Sequence, residues 1–179
     1  SRFPSMRIIY TKEGELVSTV VETPLMENLP KGFMAVPSGK RSFRWRNDQS
    51  ASLVFVKALD GGNPDSLVAF RDEVFQLEAP FNERPRSMLK TQNRFSSIIW
   101  GNKNLAIAYD YWWNTRNKKT YLFNPSLSDG GIDLLFDQNY QDVYNDPGSF
   151  ITRKNKLGKS VLALKGSRAY LKGDGFSHE

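Results

Sequence analysis

The sequence predicts an all-β protein: a partial β-propeller of about two to three four-stranded antiparallel blades, open rather than closed. Three observations carry this. The 179 residues include 12 Phe, 7 Tyr and 4 Trp, and aromatic side chains favour strands. The 13 Gly and 9 Pro stand between short apolar runs, where they read as turns. A unit of four such runs occurs and then starts again, each time on a strand that ends in Trp, at Trp45 and at Trp100. A four-stranded repeat of roughly 40–50 residues is the signature of a propeller blade. The competing architecture is an antiparallel sandwich, whose strands recur every 8–12 residues or so.

Residues 6–10 and 16–21 are two β-rich runs around Lys12, Glu13, Gly14 and Glu15, and read as a hairpin. Residues 23–39 hold three Pro and two Gly without a period and read as a long connection. In "RSFRWRNDQSASLVFVKALDGGNP", Phe43 and Trp45 alternate with Arg44 and Arg46. Alternation puts the aromatics on one face of a strand and the arginines on the other, so Phe43 and Trp45 are expected to fill the core between blades. Residues 53–59 are apolar enough for a strand buried on both faces. Residues 73–79 alternate again, and 86–90 form a short fourth strand. The second unit repeats the order at 95–100, 105–113, 120–124 and 134–137. Weaker strand signals follow at 150–153, 160–164 and 169–172.

The expected organisation is one domain over 1–179. Residues 6–22 end one blade, 40–90 and 95–137 are blades, and 149–172 are a partial blade. Two full blades cannot close a ring that needs about four to eight. The chain is therefore expected to be a fragment of a longer propeller, and Ser1 in place of Met agrees. Its open strand edges are expected to self-associate or to lie under irregular segments.

The net charge of +6 permits attraction to polyanions. The bases are dispersed, however. The densest groups are Arg116, Lys118 and Lys119, and then Arg153, Lys154 and Lys156. Dispersed charge is ordinarily a solvated surface, so neither nucleic acid nor membrane is expected as a partner. There is no Cys and a single His, His178, which excludes disulfides and thiolate sites and argues against zinc. Asp129, Gly130, Gly131, Ile132 and Asp133 do not fit a calcium loop and read as a turn. No cofactor or metal is expected. No G-x-S-x-G elbow presents a serine, and His178 stands next to the chain end, where a positioned base is not expected. No catalytic residue is expected. Trp112 and Trp113 suggest a stacking platform, but neighbours on a strand face opposite ways.

Four stretches carry a resemblance: "PSGKRSFRWRNDQSASLVFVKALDGGNP", "FRDEVFQLEAPFNERPR", "NRFSSIIWGNKNLAIAYDYWWNTRNKKTYLFNPS" and "LLFDQNYQDVYNDPGSF". Together they resemble the propeller of prolyl-oligopeptidase-family serine peptidases. They are most similar to the glutamyl-endopeptidase-like branch of bacteria and chloroplasts, among bacterial aminoacyl and dipeptidyl peptidases. The resemblance implies a two-domain parent, periplasmic or secreted, in which an α/β hydrolase domain carries the catalytic residues. This chain would then be its noncatalytic propeller portion, which gates the active site and helps bind the peptide substrate. A standalone propeller-like protein-interaction module is the alternative.

In a blade, the loops at 60–72, 91–94, 114–119 and 138–148 fall on one face. That placement, with the branch resemblance, gives Arg94, Arg116, Asp142, Tyr144 and Asp146 as candidate peptide-binding residues, with Lys118 and Lys119 nearby. Basic groups there would attract acidic peptide side chains. The plainer reading of Asp142 and Asp146 is that they tie down their own loop through Asx turns.

Overall fold

The computed structural model describes residues 3–128 and 131–175, and no helix occurs among them. Strands β1 (Ser5–Tyr10) and β2 (Leu16–Thr23) form a hairpin. A four-stranded antiparallel sheet follows, built in chain order from β3 (Arg41–Trp45), β4 (Ser52–Ala58), β5 (Asp72–Glu78) and β6 (Arg86–Thr91). A second sheet repeats the arrangement with β7 (Arg94–Asn102), β8 (Leu105–Trp112), β9 (Asn117–Phe123) and β10 (Ile132–Asn139). Six short strands then pair two by two: β11 (Ser149–Phe150) with β16 (Leu171–Lys172), β12 (Thr152–Lys154) with β13 (Ser160–Leu162), and β14 (Leu164–Lys165) with β15 (Arg168–Ala169). The fold is all-β, and neither four-stranded sheet closes on itself; it has the form of an open, partial propeller.

The two large sheets pack face to face. Val54, Val56, Val74, Met88 and Leu89 of the first meet Trp100, Ala106, Ala108, Tyr121 and Phe123 of the second in one buried cluster. The other face of the first sheet, through Leu53, Phe55, Leu77 and Phe81, buries against Val20 and Ile9 of the hairpin. Strand β4 is therefore covered on both sides, as its unbroken apolar run requires. Fully burying each side chain of this size contributes about 1.5–3 kcal/mol.

The alternation expected in β3 holds, with Phe43 and Trp45 on the hairpin side and Arg46 on the face of Trp100, but burial does not follow it. Trp45 is 50% exposed, whereas Arg46 is only 5% exposed. A bulge precedes this stretch. Arg41 pairs with Val56 and Arg44 with Val54, so β3 places an extra residue against β4. Ser42 absorbs the distortion with φ of 55°. Phe43 stacks on Phe55 at 5.5 Å and Trp45 meets Phe81 edge-on at 5.8 Å, both on the hairpin side. The face toward β7 is left with the polar side chains. Two strands are also longer than expected: β9 begins at Asn117 rather than 120, and β10 covers Ile132–Asn139 rather than 134–137. Lys118 and Lys119 are ladder residues opposite Gln138 and Asp137, not part of the turn.

Candidate functional site

At one end of the stacked sheets, β3, β5 and β7 bring three arginines and two aspartates into a buried cluster. Asp72 opens β5 and Arg94 opens β7, so the strand register sets them side by side. Asp72 accepts from Arg41 Nη2 at 2.5 Å, from Arg94 Nη1 at 3.2 Å and from the Phe95 backbone N–H at 2.8 Å. Asp60, in the turn after β4, accepts from Arg94 Nη1 at 2.8 Å, Arg71 Nη1 at 3.0 Å and the Gly62 N–H at 2.9 Å. Neither carboxylate reaches solvent. Burial pushes the Asp60 carboxyl up, but Arg94, the Gly62 N–H and Arg71 outweigh it and hold the group below its ordinary value. For Asp72 burial wins over Arg41, the Phe95 N–H and Arg94, and the carboxyl lies above its ordinary value. Three guanidinium groups face two carboxylates, and Arg41 Nη1 and Arg94 Nη2 are buried without a hydrogen-bond partner.

Around this cluster the loops gather. Arg94 Nε donates to the Met34 carbonyl, which pins the connection before β3 across the end of the sheets. Arg71 lies 3.9 Å above the Trp112 ring, and Arg116 lies 3.8 Å above Trp113. Phe33 packs beside Trp113 at 4.9 Å. The tryptophan pair is thus covered by guanidinium groups, an arrangement that favours both partners through the ring quadrupole.

A third caged carboxylate lies within the second sheet. Asp110 accepts from the Asn93 N–H and Nδ2, the Tyr121 hydroxyl and the Lys119 N–H. It clamps the short link from β6 to β7 from below. Burial raises its pKa, and burial together with the Asp110 charge raises that of Tyr121.

The sequence candidates separate here. Arg94 is 3% exposed and committed to Asp60 and Asp72. Arg116 lies on the adjoining turn, where it also donates to the Trp113 carbonyl at 2.7 Å. Asp142 accepts from the Tyr144 and Asn145 N–H groups, and Asp146 from the Gly148 N–H. These are the Asx turns of a self-tied loop. Tyr144 is exposed on that loop. A link joins the sites, since the Tyr140 N–H donates to the Arg116 carbonyl at 2.9 Å. His178, and Asp129 with Gly130 of the glycine turn, lie outside the described residues. Among the described residues no group of His, Asp and Glu could hold a metal ion. Asp60, Asp72, Arg41 and Arg71 escaped the sequence reading because single charges at strand ends resemble ordinary solvated positions.

Known proteins supply a comparison. The chain is 36% identical over 164 residues to a protein of Oryza sativa subsp. japonica named probable glutamyl endopeptidase, chloroplastic. It is 34% identical over 164 residues to the Arabidopsis thaliana protein of the same name. The chain is related to peptidases. The match covers 90% of this chain but only 18% and 17% of those relatives, so it corresponds to a small part of their length. No family model matches the chain, and no solved structure matches it.

Proposed function

We propose that this chain is a noncatalytic propeller portion of a serine peptidase, and that it gates and helps hold the peptide for an α/β hydrolase domain elsewhere in the parent chain. The observation that carries the reading is the similarity to peptidase-named relatives along 90% of a chain that spans less than a fifth of their length. The composition agrees: with no Cys, one His and no G-x-S-x-G elbow, the chain lacks the sequence signature of an α/β hydrolase nucleophile. The loop end of the stacked sheets is then the face toward the hydrolase domain. Arg116 and Tyr144 border it, and Arg94 holds it rigid from beneath.

The test compares two proteins: the full natural chain that carries this segment, and the 179 residues alone. Each is assayed on peptides with Glu, Ala or Pro before the scissile bond. The expected result is cleavage by the full chain and none by the segment. A full chain that cleaves no peptide would favour the interaction-module alternative, and cleavage by the segment alone would overturn the noncatalytic assignment.

A further inference from the structure

The buried cluster at the loop end holds more positive charge than negative. Arg41, Arg71 and Arg94 contribute three guanidinium groups, and Asp60 and Asp72 contribute two carboxylates. Both carboxylates are already committed to these cations and to the Gly62 and Phe95 N–H groups. Arg71 reaches Asp60 Oδ2 at 3.0 Å and also rests on the Trp112 ring. The unmatched charge therefore falls to Arg41 and Arg94. One carboxylate holds them both: Asp72 takes Arg41 Nη2 on Oδ2 and Arg94 Nη1 on Oδ1. Each guanidinium keeps one further nitrogen, Arg41 Nη1 and Arg94 Nη2. Both are closed off from solvent and have no hydrogen-bond partner among the described residues.

A buried donor without an acceptor is unfavourable, and a buried cation without its counter-charge is more so. The two arginines feel each other. Burial lowers the pKa of Arg41, Asp72 raises it, and Arg94 acts against Asp72 as a second cation nearby. A guanidinium keeps its proton all the same, so the charge is balanced by an anion and not by deprotonation. Water would satisfy the two donors but would leave the charge. Because both nitrogens are sealed from solvent, their ligand is a small ion admitted by local opening, not a group on a large molecule.

We propose that a monatomic anion of the size of chloride binds to Arg41 Nη1 and Arg94 Nη2 and completes the charge balance where β3, β5 and β7 begin. The site is separate from the peptide-handling role and does not depend on it. Its effect is on order at the loop end. Arg94 also holds the Met34 carbonyl, and Asp72 holds the Phe95 N–H. An anion that fixes the two guanidinium groups therefore steadies both the 24–40 connection and the start of β7. The test is hydrogen exchange of the full natural chain while chloride replaces gluconate, an anion too large to be enclosed, at constant ionic strength. When chloride reaches about ten times the dissociation constant read from the same titration, the Phe95 and Val36 amides should exchange about tenfold more slowly than in gluconate. Arg41→Gln leaves two cations for two carboxylates and should make the two salts equivalent. Asp72→Asn leaves three cations for one carboxylate and should enlarge the chloride effect; Arg41→Gln decides even if that variant does not fold. Arg44→Gln, at an exposed arginine outside the cluster, should leave the effect intact. Equal exchange across the titration in the wild type would mean that water serves the two donors, and overturns the site. A chloride effect that survives Arg41→Gln, or that disappears in Arg44→Gln, overturns it as well.

Discussion

Arg94 and Arg116 are both arginines near aromatic rings at the same end of the molecule, yet they do different work. Arg94 is buried and bonded to Asp60, Asp72 and the Met34 carbonyl. Arg116 rests on Trp113 at a turn. Removing one partner of a buried ionic group leaves uncompensated charge and costs about 3–5 kcal/mol, whereas an exposed cation–π contact is worth about 0.5–1 kcal/mol. Arg94→Ala is therefore expected to lower the urea-unfolding free energy by about 3 kcal/mol, since Arg71 and Arg41 still cover the two aspartates. Arg116→Ala should cost no more than about 1 kcal/mol. The tyrosines give a second residue-scale prediction. Burial pushes Tyr109 up to about 12, and Tyr121 is raised as well by burial and by Asp110. A raised phenol keeps its proton in the folded state after the unfolded chain has begun to lose it. The stabilisation is thus complete below pH ~10 and falls as pH rises beyond it. Absorbance titration of the phenolates should show these two tyrosines ionising last, with Tyr121→Phe removing a late transition. Single residues were only partly legible in the sequence. Arg94 stood out in a loop near a proposed face, but nothing local revealed that Asp60 and Asp72, far apart in sequence, would close around it.

Strand positions were legible because apolar runs and turn residues are local signals, and the order of both four-stranded sheets follows from them. Burial was less so, because alternation sets the face of a side chain and not what covers it. Phe43 and Trp45 share the hairpin side as alternation requires, yet Trp45 stays half exposed while Arg46 is buried against Trp100. The connection at 24–40 carried no period, and its path is set by distant contacts: Met34 to Arg94, and the Val36 N–H to the Gly62 carbonyl at 3.1 Å. Gly62 has φ of 79°, and a Cβ there would stand 1.8 Å from the Val36 carbonyl oxygen. Gly61 has φ of 66° but open space around it. Gly62→Ala should therefore displace the connection, expose the buried Met34 and accelerate proteolysis within residues 24–40. Gly61→Ala carries only the backbone strain, of order 1 kcal/mol, and should leave the cleavage pattern unchanged. Equal proteolysis of the two variants would mean that the Gly62 contact does not hold the connection in place.

Across the whole molecule, order follows how many neighbours each layer has. The two large sheets share one core, and the first is covered on its far side by the hairpin. Strands β4, β5, β8 and β9 are each hydrogen-bonded on both sides. The six strands after residue 148 pair only two by two and contribute Val161 and Leu162 as their buried apolar residues. A four-strand pattern does not develop there because the runs are only two or three residues long and mostly exposed. Two-stranded ribbons have little independent stability. Native-state hydrogen exchange should thus be slowest in β4, β5, β8 and β9, at the free energy of global unfolding. It should be faster in the β1–β2 hairpin and fastest in β11–β16, with β13 slowed by its packing on β7. The same measurement on the full natural chain tests the open-propeller architecture directly. If further blades stack on the second sheet and on the hairpin, protection in β1, β2 and β11–β16 should rise while that of the four central strands stays the same. Unchanged exchange at both ends would mean that the stacked sheets are complete as they stand, and that no blade continues the ring.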